Sequence, residues 1–210
     1  MSNSNDWQAT GFGPGTFVQT ALGMRPIDQL EVGEELEFRD GSRAPLLHLH
    51  SHHFSEDELN ANPDLQPFRV PALALGPAVP RRPILMSGDI HVLAQGRMVT
   101  RVVPGDALLL PISAMDGKKG IERVVPDGGM TYYHMLVDRH AMILAEGLLV
   151  DTMFVGHSAE PDKVVTMFDH LNGASHGAAC YPIADNKQAR TLIEKLIDKD
   201  RALISDKIDS

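Results

Sequence analysis

The chain has 210 residues, 43% hydrophobic and 22% charged, which suits one soluble domain with a sizeable core, or one domain with an appended tail. A formal net charge of −9 argues against nucleic acid or an anionic membrane as the main partner. The one cysteine, Cys180, excludes an intrachain disulfide and a multi-cysteine metal site. The N-terminal ten residues are polar and no apolar run is long enough to cross a bilayer, so the default expectation is a cytoplasmic protein.

Residues 1–10 read as a lead-in. From Gly11 to about Gly156 the pattern is one of short strands broken by turns. Thr16 to Thr20 is β-prone and Gly23 follows as a turn. Glu34 to Phe38 places Leu36 and Phe38 on one face, and Asp40-Gly41 makes a hairpin turn because glycine accepts positive φ without steric cost. Leu46 to Phe54 is a strand whose period of two puts Leu47 and Leu49 on one face and His48, His50 and His52 on the other. Ser55 with Glu58 is a capping box for a short helix ending before Pro63. The proline-rich stretch Pro67 to Arg82 predicts short extended pieces joined by bends.

Leu85 to Ser87, Val92 to Ala94 and Met98 to Val103 are strand-like, the last stopped by Pro104-Gly105. Ala114 to Asp127 and Gly128-Gly129 read as a loop. Tyr132 to Val137, Ala141 to Ala145 and Leu148 to Thr152 are three consecutive strands, the last two joined by Glu146-Gly147. Such spacing implies a mainly β, sandwich or barrel-like body. Asp185 and Gln188 then open a helix with a capping-box pattern. Ala189, Leu192, Ile193, Leu196, Ile197, Leu203 and Ile204 follow its apolar stripe, which should pack on the β body or form a homodimer.

Three stretches in this order resemble the Hint domain, the fold of hedgehog autoprocessing domains and inteins, and in particular its bacterial stand-alone branch. The first is Gly11-Phe12-Gly13-Pro14-Gly15-Thr16 with Arg25-Pro26-Ile27-Asp28-Gln29-Leu30-Glu31-Val32-Gly33. The second is Ser87-Gly88-Asp89-Ile90-His91-Val92-Leu93. The third runs from Tyr133 through Asp138-Arg139-His140 to Ala145-Glu146-Gly147-Leu148-Leu149-Val150. The resemblance implies a Hint-type fold of many short strands over residues 11–156, with residues 157–210 as an extension ending in the amphipathic helix.

It also implies a chemistry, the shift of an acyl group from a backbone nitrogen to a side-chain nucleophile, with a histidine protonating the leaving nitrogen. Gly11 stands at the nucleophile position and has no side chain. Ile90 stands at the histidine position, and His91 falls where the family has arginine. Asp138 and His140 match the late Asp and His, and as strand neighbours two apart they are expected to share a face. Asp151-Thr152 stands where an intein ends in His-Asn. The expectation is a degenerate Hint domain kept as a binding or structural module, with His91, Asp138 and His140 as relic acid–base groups. The active alternative uses a hydroxyl near Thr10 with His91 and His140.

The run His48 to His53 offers a different class of function. Alternate histidines can converge on a transition metal, but His48 and His52 would lie roughly 13 Å apart along a straight strand. His157, His170 and His176 would help only if the tail folds back. The favoured expectation is a structural or surface strand using histidine, with no cofactor beyond that metal alternative and an unidentified protein partner.

Overall fold

Turn chemistry sets the strand register. Glu146 and Gly147 both take positive φ, 49° and 86°, the geometry of a tight hairpin whose twist matches its strands. Across that turn Ala145 pairs with Leu148 and Met142 with Asp151. A computed structural model describes residues 9–97, 99–155 and 175–197. Its strands are β1 (Phe17–Thr20), β2 (Gly23–Pro26), β3 (Glu35–Glu37), β4 (Arg43–Pro45), β5 (His48–Phe54), β6 (Phe68–Val70), β7 (Ile84–Met86), β8 (His91–Gln95), β9 (Ala107–Pro111), β10 (Glu122–Arg123), β11 (Met130–Leu136), β12 (Met142–Ala145) and β13 (Leu148–Asp151). The helices are α1 (Glu56–Ala61) and α2 (Asn186–Ile197).

The larger sheet runs β4-β3-β1-β12-β13-β8-β9, with β2 paired to β1. The strands β10-β6-β7 and the long antiparallel pair β11-β5 form two further pieces. Phe12 joins these pieces, bridging Met86 of β7 on one side and Tyr133 of β11 on the other. The main apolar core is shared by both assemblies, from Val18, Leu36 and Ile143 to Phe68, Met86 and Met135. Leu36 and Phe38 are both buried, as their alternation predicts. Ser55 and Glu58 form the expected capping box.

Two segments differ from the sequence reading. Met98 to Val103 is β-prone, yet Val99–Arg101 is a 3-10 turn. Gly96 turns the chain at φ 105°, and the amides of Val102 and Val103 then bond back to the Val99 carbonyl. Val99 and Val103 both reach the main core, so their spacing of four serves a helical turn rather than a strand. Strand β9 lies in a continuous apolar run with no alternation. Leu108 and Leu110 enter the main core, while Ala107 and Leu109 pack with Leu93, Met142 and Tyr181 on the other side. Both faces are covered, so both must be apolar.

The described part of the extension joins this body. Leu109 pairs with Ile183 in a parallel bridge, its amide bonding the Pro182 carbonyl at 2.9 Å. Asp185 caps α2: the Gln188 amide donates to its carboxylate at 2.7 Å, and the Asp185 amide donates to the Gln188 side chain at 3.0 Å. Ala189, Leu192 and Ile193 belong to the main core, so this part of the stripe is covered within the chain. Leu203 and Ile204 lie outside the described residues. No helix among the described residues is long and apolar enough to cross a membrane.

Leu192 is fully buried. Leu192→Ala is expected to lower unfolding stability by about 2–5 kcal/mol, as core truncations do. Urea denaturation of the full chain checks this; a change below about 0.5 kcal/mol would mean that α2 does not dock.

Candidate functional site

Gly11, Phe12 and Gly13 lie between β7 and β11 like a missing strand. Phe12 exchanges both backbone bonds with Tyr133, at 2.8 and 2.9 Å, and the Gly13 amide donates to the Leu85 carbonyl at 2.8 Å. The Ser87 amide donates to the Gly11 carbonyl at 2.8 Å. Beyond Gly13, Pro14-Gly15 turns the chain, with Gly15 at φ 73° as such a turn requires at its third position. The Thr16 hydroxyl closes the turn on the Gly13 carbonyl at 2.8 Å.

Gly11 is more than a residue without a nucleophile. Its φ is +134°, a conformation that L side chains rarely adopt. A Cβ placed on it would stand 2.3 Å from the Tyr133 carbonyl oxygen and 3.2 Å from His134 Cβ. The backbone of β11 occupies the space a side chain would need.

The groups around the Thr10–Gly11 peptide come from the turn after β7. The Gly11 amide donates to the buried Ser87 hydroxyl oxygen at 2.8 Å, and Ser87 in turn bonds to Asp89. The Thr10 hydroxyl donates to Asp89 at 2.5 Å. Asp89 stands at the exposed edge of this cleft, accepting from the Thr10 and Ser87 hydroxyls. Ile90 is buried in the main core, so the aligned histidine position offers no proton.

His91 turns to Asp151 instead. Its backbone amide donates to one carboxylate oxygen at 2.8 Å and its ring Nδ1 pairs with the other at 2.7 Å. His140 Nε2 approaches that second oxygen at 3.3 Å. The Cys180 amide donates to His140 Nδ1 at 3.2 Å, which leaves Nε2 as the protonated nitrogen facing Asp151. Burial alone would raise the Asp151 carboxyl, but the bonds from His140 and His91 hold it far below the usual carboxylate range. Burial opposes a charge on His91, yet the bond to Asp151 and the charges of Asp151 and Asp89 raise it above the ordinary imidazole value.

The expected pairing of Asp138 with His140 is therefore corrected. Both lie beyond the end of β11 and outside any strand, Asp138 in a bend, so the two-residue rule does not apply. Asp138 is exposed and pairs with Arg139 at 2.8 Å. The carboxylate that meets His140 is Asp151. Its signal in the sequence is an acid ending the apolar run Leu148-Leu149-Val150, where burial demands a partner.

The histidine strand is also placed differently from a surface strand. His50 is buried and pairs across β11 with His134, which is buried too. His48 and His52 are half-buried on the same side, and the His52 ring packs on Phe54 with centroids 4.6 Å apart. Among the described residues no three His, Cys, Asp or Glu side chains are arranged to hold a metal ion. His157 and His170 lie outside the described residues; His176 bonds to the Val155 amide and the Val137 carbonyl. His134 is a site residue that sequence reading missed. It packs edge-on against Phe12, with centroids 6.2 Å apart. Burial pushes its imidazole down to about 4.

A family model described as the Hint domain matches residues 10–157. No curated protein matches the chain. Among solved structures, a bacterial intein-like domain from Clostridium thermocellum is 10% identical and covers 69% of this chain and 99% of its own, at a TM-score of 0.47. The MchDnaB-1 intein is 14% identical, with 68% and 100% covered and a TM-score of 0.40. The gp41-1 intein is 16% identical, with 66% and 95% covered and a TM-score of 0.42.

Two predictions follow from the geometry around Gly11. Gly11→Ala should destabilise the chain by roughly 2–4 kcal/mol, because it adds a backbone clash to an unfavourable φ; denaturant unfolding measures it. His134 and His91 should act oppositely with pH. The unfolded chain protonates His134 near the ordinary value of 6.5, but the fold refuses that proton until about 4. Stability should thus fall by about 3 kcal/mol as pH drops across that window, and His134→Leu should flatten the fall. For His91 the folded value is raised, so its contribution is complete below 6.5 and fades as pH rises through the raised value. His91→Gln should remove that alkaline loss. Unfolding midpoints recorded against pH check both signs.

Proposed function

This chain belongs to the Hint-domain family, and from that premise we propose that it keeps the Hint scaffold as a binding or structural module and does not cleave or splice itself. The observation that carries this reading is the clash between a Cβ on Gly11 and the Tyr133 carbonyl oxygen, at 2.3 Å. The first step of the family's chemistry needs a nucleophile on that residue and a proton for the leaving nitrogen. Gly11 supplies no nucleophile. Its amide donates to Ser87, whose own hydroxyl bonds to Asp89, and Ile90 sits in the core. None of these groups delivers a proton to the Gly11 nitrogen.

A second reading has its own observation, the 2.5 Å bond from the Thr10 hydroxyl to Asp89. With Asp89 as base, the Thr10 oxygen would attack the Ala9 carbonyl carbon. The Ala9–Thr10 amide would break as the ester forms, its nitrogen taking the proton from Asp89. Hydroxylamine would then cut the ester and leave a chain beginning at Thr10.

Intact-mass spectrometry after prolonged incubation with hydroxylamine, and separately with a thiol, decides among these. The expected result is the uncut chain. A product beginning at Thr10, abolished by Asp89→Asn, establishes the second reading. A product beginning at Gly11 overturns the inactive reading outright.

A further inference from the structure

A cavity of about 580 Å³ lies beside the small apolar cluster under the C-terminal segment, lined by Phe38, Arg39, Asp40, Arg139, His140 and Tyr181 among others. Its two guanidinium groups are held in place in different ways. Arg39 donates from Nη1 to the Tyr181 hydroxyl at 2.7 Å and from Nη2 to the Gln95 side-chain oxygen at 2.8 Å. Both acceptors are neutral. No carboxylate among the described residues forms an ion pair with Arg39. Arg139 donates to Asp138 at 2.8 Å and to Ser42 at 2.7 Å, and lies over the Phe38 ring at 4.8 Å.

Asp40 is the acidic residue of the lining. Its carboxylate is taken up by its own turn, accepting from the Ser42 amide at 2.9 Å and from the Ser42 hydroxyl. Those bonds, and more weakly the charge of Arg139, hold it below the usual carboxylate value. It closes the hairpin rather than neutralising Arg39. A guanidinium has five N–H donors in a planar fork, so two neutral bonds orient Arg39 and leave further donors for a ligand. Phe38 and Met142 complete the lining, both almost fully buried. Arg39 is thus a guanidinium with no carboxylate partner among the described residues, in a chain of net charge −9.

We propose that this pocket binds a small oxyanion, a carboxylate or a phosphate ester, gripped by Arg39 with Arg139 beside it. Guanidinium groups match both anions bidentately, so the chemistry is shared and the source is left to the experiment. The proposal is independent of whether the Thr10 or Gly11 bonds are ever cut.

The test is an NMR titration of the full chain with benzoate and with phenyl phosphate, at constant ionic strength against chloride. Saturable shifts of the Arg39, Ala141 and Tyr181 amides are expected with at least one of them. Benzoate alone shifting them assigns a carboxylate ligand, and phenyl phosphate alone assigns a phosphate. Arg39→Gln should weaken binding by about tenfold or more, and Arg39→Lys by less. Arg43→Gln, which removes only a surface pair with Glu37, should change nothing. Should Arg39→Gln alter the amide spectrum of the whole fold, Arg139→Gln carries the same comparison. The proposal is overturned if neither anion gives saturable shifts at millimolar concentration. It is also overturned if a folded Arg39→Gln or Arg139→Gln chain binds as the unaltered one does.

Discussion

The body of this protein depends on three residues acting as a strand. Without Gly11, Phe12 and Gly13, β7 and β11 would be two unpaired edges, each with a row of backbone donors and acceptors facing apolar surroundings. The segment supplies partners to both sides, through Phe12 to Tyr133 and through Gly13 and Gly11 to Leu85 and Ser87. It also drives the fully buried Phe12 ring into the main core. The close approach of backbones explains the two glycines. A Cβ on Gly13 would already press on Leu85 at 3.1 Å, and one on Gly11 would collide with Tyr133.

Around that ladder the polar groups sort by whether a partner is within reach. Asp151 accepts from two histidines and one backbone amide, so it remains ionised although it is almost wholly buried. His134 lies near the same carboxylate, whose charge favours its protonated form, but burial outweighs that attraction and keeps it neutral. Imidazoles in one region thus respond to pH in opposite directions because His91 bonds directly to Asp151, whereas burial dominates at His134. The arrangement resembles acid–base machinery in composition, yet its strongest bonds run between its own members and not toward the Gly11 nitrogen.

Much of this was legible in the sequence where a local rule decides the outcome. The Glu146-Gly147 turn, the Ser55 and Asp185 caps, and the alternation of Leu36 with Phe38 depend on near neighbours alone. The family resemblance placed Gly11 and Ile90 at their positions, because motif order survives when individual residues change. What sequence missed depends on contacts between distant segments. Whether Val99 to Val103 extends or coils is decided by the core it meets. That β9 lies buried on both faces depends on Tyr181 and Ile183, more than seventy residues on. Asp138 looked like the partner of His140 because it is near in sequence, whereas Asp151 is near in space through the β12–β13 hairpin.

The φ of +134° at Gly11 and the 2.3 Å between a Cβ there and the Tyr133 carbonyl oxygen act together as a filter on sequence. Any residue other than glycine would carry both a strained backbone and a collision, so a side chain enters position 11 only if β11 moves away from it. Position 11 is thereby coupled to the pairing of Phe12 with Tyr133, and a substitution there is felt along the ladder that joins β7 to β11.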